Sequence, residues 1–228
     1  MRTGWTRYFF YKTQCIKTTW TCRLALATFM VLLLFLTQGL WLAMIGRALI
    51  CPHQQIRSGD AILIDNFESN YLVFERAAEL RARGTAHRVL IPTQASSDDS
   101  GAPNVLFAGI VDVMARISRL HDPELISVRE IEPISLNAAY QIRDFLTKEH
   151  LRSIIVVTPA FRSGRSALIY SEVFGAAGIT TYCEPVFGEL TPDNWSQTWH
   201  GIQQVTEQYL KLQYYRFYVL PFRVHRAA

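Results

Sequence analysis

Acidic residues are missing from the first 51 positions of this 228-residue chain, a stretch that holds six basic ones (Arg2, Arg7, Lys12, Lys17, Arg23 and Arg47). Cysteine is scarce, at four residues, which is too few for a small disulfide scaffold. C-x-x-C and H-x-x-x-H spacings are absent, so no metal site is expected. G-x-G-x-x-G and G-x-x-x-x-G-K-[ST] are absent too, so nothing marks a dinucleotide or P-loop cofactor. His87, His121 and His200 have no visible Ser or Cys partner, and no Ser-His-Asp triad can be built from them. Gly at 12 and Pro at 9 exclude collagen-like and low-complexity chains. Charged residues make up 18% against 50% hydrophobic, which excludes disorder as the main state.

What is present is unevenly distributed. The formal charge is +4, but residues 52–203 carry thirteen basic and eighteen acidic side chains. Residues 204–228 carry four basic and one acidic. The basic excess sits at the two ends. Tracking a phosphate backbone needs a basic surface on the folded domain, so no nucleic-acid partner is expected.

Between Arg23 and Arg47 lie 23 uncharged residues. At about 1.5 Å per residue such a run covers the roughly 30 Å hydrocarbon core of a bilayer. Trp20 and Trp41 stand near its two ends, where indole rings favour the interface. The expectation is one transmembrane helix over residues 24–46, after a basic cytosolic segment over 1–23. The positive-inside bias then exports everything beyond, through a linker over 47–60. The run is too long for a cleaved signal peptide. A lipoprotein anchor at Cys51 is rejected, because Ile50 and Leu49 stand where small residues are usual. A Cys51–Cys183 pair is weighed and not expected, since one thiol sits beside the membrane and the other in a predicted strand.

From residue 61 the chain alternates. Apolar, β-branched runs predict strands over 61–67, 88–93, 125–131, 153–158 and 180–186. Helical spacing predicts helices over 71–83, 105–120, 135–150 and 165–177, with Ser135 as one cap. Thr191 with Pro192 is read as the start of a long helix to about residue 217. SIIVVT over 153–158 is apolar on both faces, as a central parallel strand requires. The fold class is therefore α/β: a Rossmann-like, doubly wound, mostly parallel five-stranded sheet over 61–217, with a basic aromatic tail over 218–228.

In such a sheet ligands sit at the carboxyl ends of the strands. That rule selects Asp65, Asn66 and Glu68 after the first strand and Thr93 after the second. It selects Glu132, Ser135 and Asn137 after the third, and Thr158, Arg162, Arg165 and Ser166 after the fourth. Arg162 and Arg165 lie at a predicted helix N-terminus, where cations oppose the dipole unless an anion joins them. Guanidinium suits bidentate phosphate or carboxylate. The alternative is that Glu130, Glu132 or Glu68 pairs with them as structural salt bridges. Asp65 reads as a general base or hydroxyl acceptor, or instead as a helix cap or a partner for Arg76. In the last helix, Trp199, Ile202, Val205, Tyr209 and Leu212 read as an apolar stripe against the sheet. From Tyr214 the aromatic, basic tail reads either as more packing or as lying near the membrane.

The order of pieces resembles a known family. A membrane anchor, DAILI, ERAAELRARG, a Ser-x-Asn helix start and VVTPAFRSGRSAL together are similar to the ElyC/SanA/YdcF family, in its single-span SanA-like branch. The likeness covers roughly residues 58–190. In that family an acidic residue, a Ser/Asn helix start and a Thr-Ser-x-x-His-x-x-Arg stretch line the strand ends; Glu132, Ser135, Asn137, Thr158 and Arg165 match those positions. The sequence departs from it where Asp65-Asn66-Phe67-Glu68 and Pro92-Thr93-Gln94 replace glycine-rich turns, where Tyr140-Gln141 replaces a Glu-Asn pair, and where Arg162 replaces a His.

The resemblance implies a role in cell-envelope biogenesis, in peptidoglycan or polysaccharide supply. At least one cytosolic-type member is associated with S-adenosylmethionine; an exported domain meets none, so no cofactor is expected. The sequence thus leads to an inner-membrane, bitopic factor whose periplasmic domain binds an anionic small molecule or a lipid-linked sugar phosphate. The alternatives are a hydrolase or transferase, with Asp65 or Glu132 as its catalytic base, and a non-catalytic partner of envelope synthesis proteins.

Overall fold

The computed structural model describes residues 20–52, 54, 58–65, 70–96 and 102–223, and the chain falls into two compact units, Met1–Trp41 and Leu42–Ala228. The expected single helix over 24–46 is instead two: α1 (Trp20–Leu36) and α2 (Gln38–Ala48). The break at Thr37 has a local cause. The Thr37 hydroxyl donates back to the Leu33 carbonyl at 2.8 Å, a contact that bends helices. The Trp41 indole N–H donates to the Leu34 carbonyl at 3.2 Å, taking the acceptor that residue 38 would use. No single helix among the described residues is long and apolar enough to cross a membrane; α1 and α2 meet that test together, as a bent pair.

The second unit is built on five parallel strands: β1 (Ala61–Ile64), β2 (Arg88–Gln94), β3 (Glu124–Val128), β4 (Ser153–Pro159) and β5 (Thr180–Val186). Their order is β3-β2-β1-β4-β5. The helices are α3 (Tyr71–Ala82), α4 (Val105–Ile117), α5 (Ile134–Lys148), α6 (Ala160–Gly175), α7 (Trp199–Tyr214) and α8 (Leu220–Arg223). This is the expected Rossmann-like α/β arrangement.

Strand alternation divides the core in two. On β4, Ile154 and Val156 face a cluster made with Leu136 and Ile142 of α5 and Ile169 and Phe174 of α6. Ile155 and Val157 face the other way, into Phe74 of α3 and Val111 of α4. Both faces of β4 are covered, which is why its sequence is a continuous apolar run. Asn70 and Asn104 start α3 and α4 by accepting the N–H of Leu72 and Leu106, each at 3.0 Å. Gly84 and Gly178, at φ +74° and +73°, turn the chain out of α3 and α6.

Strands β1 and β3 end earlier than expected, at Ile64 and Val128, and three helix starts also differ. Helix α5 begins at Ile134 after Pro133, so Ser135 lies inside the first turn and is not the cap. Helix α6 begins at Ala160, directly after β4 and five residues before the expected start at Arg165, so Arg162 and Arg165 both lie inside its first turns. Pro159 makes this abrupt switch without a side-chain cap. Thr191 does not open the last helix. Asn194 folds back on the Thr191 N–H at 2.6 Å, a single 3-10 turn follows at Trp195–Gln197, and Thr198 caps α7 through the Gly201 N–H.

Cys51 and Cys183, not expected to pair, form a disulfide with Cα atoms 6.4 Å apart. The linker is drawn to the sheet by the start of α6. The Gly164 N–H donates to the Leu49 carbonyl at 2.7 Å, and the Cys51 N–H donates to the Ser163 hydroxyl at 2.9 Å. A Cβ on Gly164 would stand 2.5 Å from the Leu49 oxygen, so only glycine permits this approach.

Candidate functional site

The chain reverses its direction of growth between β1 and β4, and doubly wound sheets place their ligand crevice at such a point. Asp65 follows β1 there, fully buried. Its Oδ2 accepts from the Thr158 hydroxyl at 3.0 Å and from the Ser166 hydroxyl at 2.5 Å. The same oxygen lies 3.2 Å from the Arg162 Nε, in an ion pair with both side chains out of solvent. Asp65 Oδ1 has no hydrogen-bond partner among the described residues. Burial pushes the Tyr170 phenol, one turn beyond Ser166, well above its ordinary pKa, and the neighbouring Asp65 carboxylate adds to the shift. Asp65 thus serves neither as the cap of α3, which Asn70 supplies, nor as the partner of Arg76, which pairs with Glu79 and Glu184.

This buried cluster backs a surface cleft of about 340 Å³. Arg162 and Arg165 form one wall, and Glu130, Glu132 and Ser135 the second. Lys211, Tyr214 and Tyr215 of the last helical segment form the third. The Arg165 guanidinium lies over the Tyr215 ring, 5.8 Å from its centroid, a placement that holds the cation in a fixed plane. Tyr214 meets Tyr215 edge to face at 5.8 Å. Lys211 also reaches Glu207 at 2.5 Å, and that contact holds the Glu207 carboxyl below its ordinary pKa. The Pro133 start of α5 carries no side-chain cap, and the Leu136 and Asn137 N–H groups donate to the Pro133 carbonyl, each at 3.1 Å. Three cations, two carboxylates, the Ser135 hydroxyl and two phenol rings line the cleft. Such a set can hold an anion at one end and hydroxyl groups at the other.

The sequence-selected residues separate accordingly. Glu132, Ser135, Arg162 and Arg165 come together in the cleft. Asp65, Thr158 and Ser166 are buried and absent from the lining of the cleft, and Asp65 is joined to it through Arg162. Asn137 is turned away: its amide donates to the Ile131 and Pro133 carbonyls at 3.0 and 3.3 Å, closing the turn before α5. Thr93 is buried, without a partner for its hydroxyl among the described residues. It lines a smaller hollow of about 70 Å³ that shares Glu130 and Ile134 with the main cleft. Asn66 and Glu68 lie outside the described residues.

Sequence reasoning missed Lys211, Tyr214 and Tyr215 as site residues. The available signal was their i, i+3, i+4 spacing, which places all three on one side of a helix. The expected stripe on that helix is rotated: Val205 and Leu212 are buried as foreseen, together with Gly201 and Gln208, but Trp199 is 78% exposed, and Ile202 and Tyr209 face outward.

Neither a family model nor a curated protein matches this sequence. Among solved structures, the chain is similar to the crystal structure of a protein from the universal stress protein family from Burkholderia pseudomallei. That likeness has 16% identity and a TM-score of 0.33, over 59% of this chain and 100% of the other.

Proposed function

We propose that this protein is a membrane-tethered cell-envelope biogenesis factor. Its extracytoplasmic α/β domain binds an anionic, lipid-linked sugar phosphate in the cleft between α5, α6 and α7. The observation that carries this reading is the convergence of Arg162, Arg165 and Lys211 on one hollow beside the uncapped start of α5. Arginine matches phosphate oxygens in pairs, and helix N–H groups add to the attraction. Glu130 and Glu132 supply acceptors for sugar hydroxyls, and the tyrosine rings supply a flat apolar platform.

The cellular side of the proposal rests on independent supports. The acid-free, basic N-terminal segment favours the cytosol for residues before the apolar run. The Cys51–Cys183 disulfide suits an oxidising compartment for the domain after it. The resemblance to the ElyC/SanA/YdcF family points to the same compartment. A catalytic version has one specific support: of the two carboxylates expected as bases, Glu132 is exposed and lines the cleft.

The test is mass spectrometry of the full chain extracted in native nanodiscs. The wild type is expected to retain a phosphate-bearing polyprenyl species, and Arg165→Ala and Lys211→Ala to lose it while keeping their folded circular dichroism. Equal retention by both variants contradicts the proposal.

A further inference from the structure

We propose that the outward face of the last helical segment, from Leu210 to Phe222, is a bilayer-docking surface, so that the cleft opens at the level of lipid headgroups.

The face begins where the cleft wall ends. Tyr214, which lines the cleft, stacks on Tyr218 with ring centroids 5.4 Å apart at 25°. Tyr218 meets Phe222 at 5.9 Å. The rings form a ladder leading away from the hollow. The helix changes pitch midway: Tyr215–Val219 is a π turn. The extra residue in that turn rotates the segment beyond it, so Tyr215 and Val219 stay in the core while Phe217, Tyr218 and Phe222 face out. Leu210 is 63% exposed, Phe217 69% and Phe222 63%. Exposure of this kind, in a row, is not neutral for a soluble surface.

Two observations say what covers it. The first is charge. From Lys211 onward the sequence holds Lys211, Arg216, Arg223 and Arg226 and no acidic residue. Aromatic rings interleaved with Arg and Lys suit the headgroup region of an anionic leaflet, and they do not suit a buried protein interface, which would leave those cations desolvated. The second is position in the chain. The end of the 23-residue uncharged run and the residues just after it belong to the same apolar cluster as this helix. Leu42, Ile45 and Leu49 share a cluster with Phe161, Trp195, Val205 and Leu212. The Trp195 indole N–H donates to the Leu42 carbonyl at 3.1 Å, and Arg47 reaches Asp193 at 3.2 Å. The chain that leads into the helix bearing the aromatic face is therefore held to the end of the apolar run through Asp193 and Trp195.

The docking does not need the cleft to be a ligand site. The consequence for a lipid-linked ligand rests on the reading given under Proposed function. With Tyr214 shared by face and cleft, a polyprenyl phosphate can stay in the leaflet while its headgroup reaches Arg165 and Lys211.

The test places a nitrobenzoxadiazole probe at Phe217→Cys, or at the control site Lys148→Cys at the end of α5, in a Cys15→Ser, Cys22→Ser background. The full chain is reconstituted in phosphatidylcholine vesicles with or without phosphatidylglycerol, and quenching by a shallow acyl-chain nitroxide is measured. The probe at 217 is expected to be quenched several-fold more than the probe at 148, and more strongly with phosphatidylglycerol present. Equal quenching at both sites overturns the proposal. So does a 217 probe that is shielded from water yet unquenched, which would mean that a second copy of the chain covers the face. Phosphate binding in the cleft is read separately by titration with glucose 1-phosphate, so failure of either reading leaves the other measurable.

Discussion

Asp65 shows how a single side chain sets the state of its neighbours. A carboxylate taken wholly out of water must be paired, and Thr158, Ser166 and Arg162 do this at one oxygen. Asp65→Asn removes the charge and leaves the Arg162 guanidinium buried beside a neutral group. Chemical unfolding should then show a loss of about 3–5 kcal/mol. Asp65→Asn combined with Arg162→Met should recover most of that loss, because it removes the stranded cation as well. If Asp65→Asn is neutral, the pair does not hold the cleft wall. Asp60 gives a pH-dependent counterpart. Its carboxylate accepts the N–H groups of Arg152 and Ser153 at 2.7 and 2.8 Å. The Arg152 amide bond is the largest cause that holds its pKa below the ordinary 3.8. A depressed folded-state pKa means that the contribution is complete above 3.8 and disappears as pH falls through the lower folded value. Asp60→Asn should therefore flatten the acid limb of the stability curve below about pH 4 and leave its slope at neutral pH unchanged.

At the scale of elements, the strands were legible and the ends of helices were not. SIIVVT could be placed because both its faces are buried, and that burial is written in consecutive β-branched residues. The start of α6 could not be placed from sequence. The strand was expected to end at Thr158 and the helix to begin at Arg165, whereas the chain turns straight into helix after Pro159. Asp65 was chosen correctly as a strand-end residue, but its burial depended on Thr158, Ser166 and Arg162, which lie about a hundred positions further along. Lys211 and Tyr214 escaped notice because nothing in a local pattern says which helix will lie over α6. The disulfide escaped for the same reason, since the linker is steered by Ser163 and Gly164. Gly164 is the most sensitive point in that contact. Gly164→Ala drives a methyl group into the Leu49 carbonyl. It should cost about 1–3 kcal/mol in unfolding experiments and slow formation of the Cys51–Cys183 bond, seen by thiol trapping. Gly175→Ala, where a Cβ meets nothing within 4 Å, is the matched control.

For the whole molecule, the distribution of charge and the fold lead to one picture. A basic segment, an apolar run and a disulfide-bonded α/β domain follow one another in the chain. Three cations of the domain, Arg162, Arg165 and Lys211, line one hollow together with Glu130 and Glu132, although residues 52–203 are acidic on balance. Charges grouped within one hollow act together on a ligand, whereas scattered ones are screened within about 10 Å at ordinary ionic strength. Of the residues whose match to the ElyC/SanA/YdcF family was expected from the sequence, Glu132, Ser135 and Arg165 line this hollow, and Asn137 and Thr158 do not. Arg162, which stands where that family has a His, lines it as well.

Isothermal titration of the full chain in nanodiscs with a short-chain prenyl-phosphoryl glucose tests the central claim most directly. Saturable one-to-one binding is expected, weakened about tenfold or more by Arg165→Ala and by Lys211→Ala, and weakened by added salt. Binding that is unchanged in both variants, or no stronger than that of the same prenyl glucoside without phosphate, would contradict it.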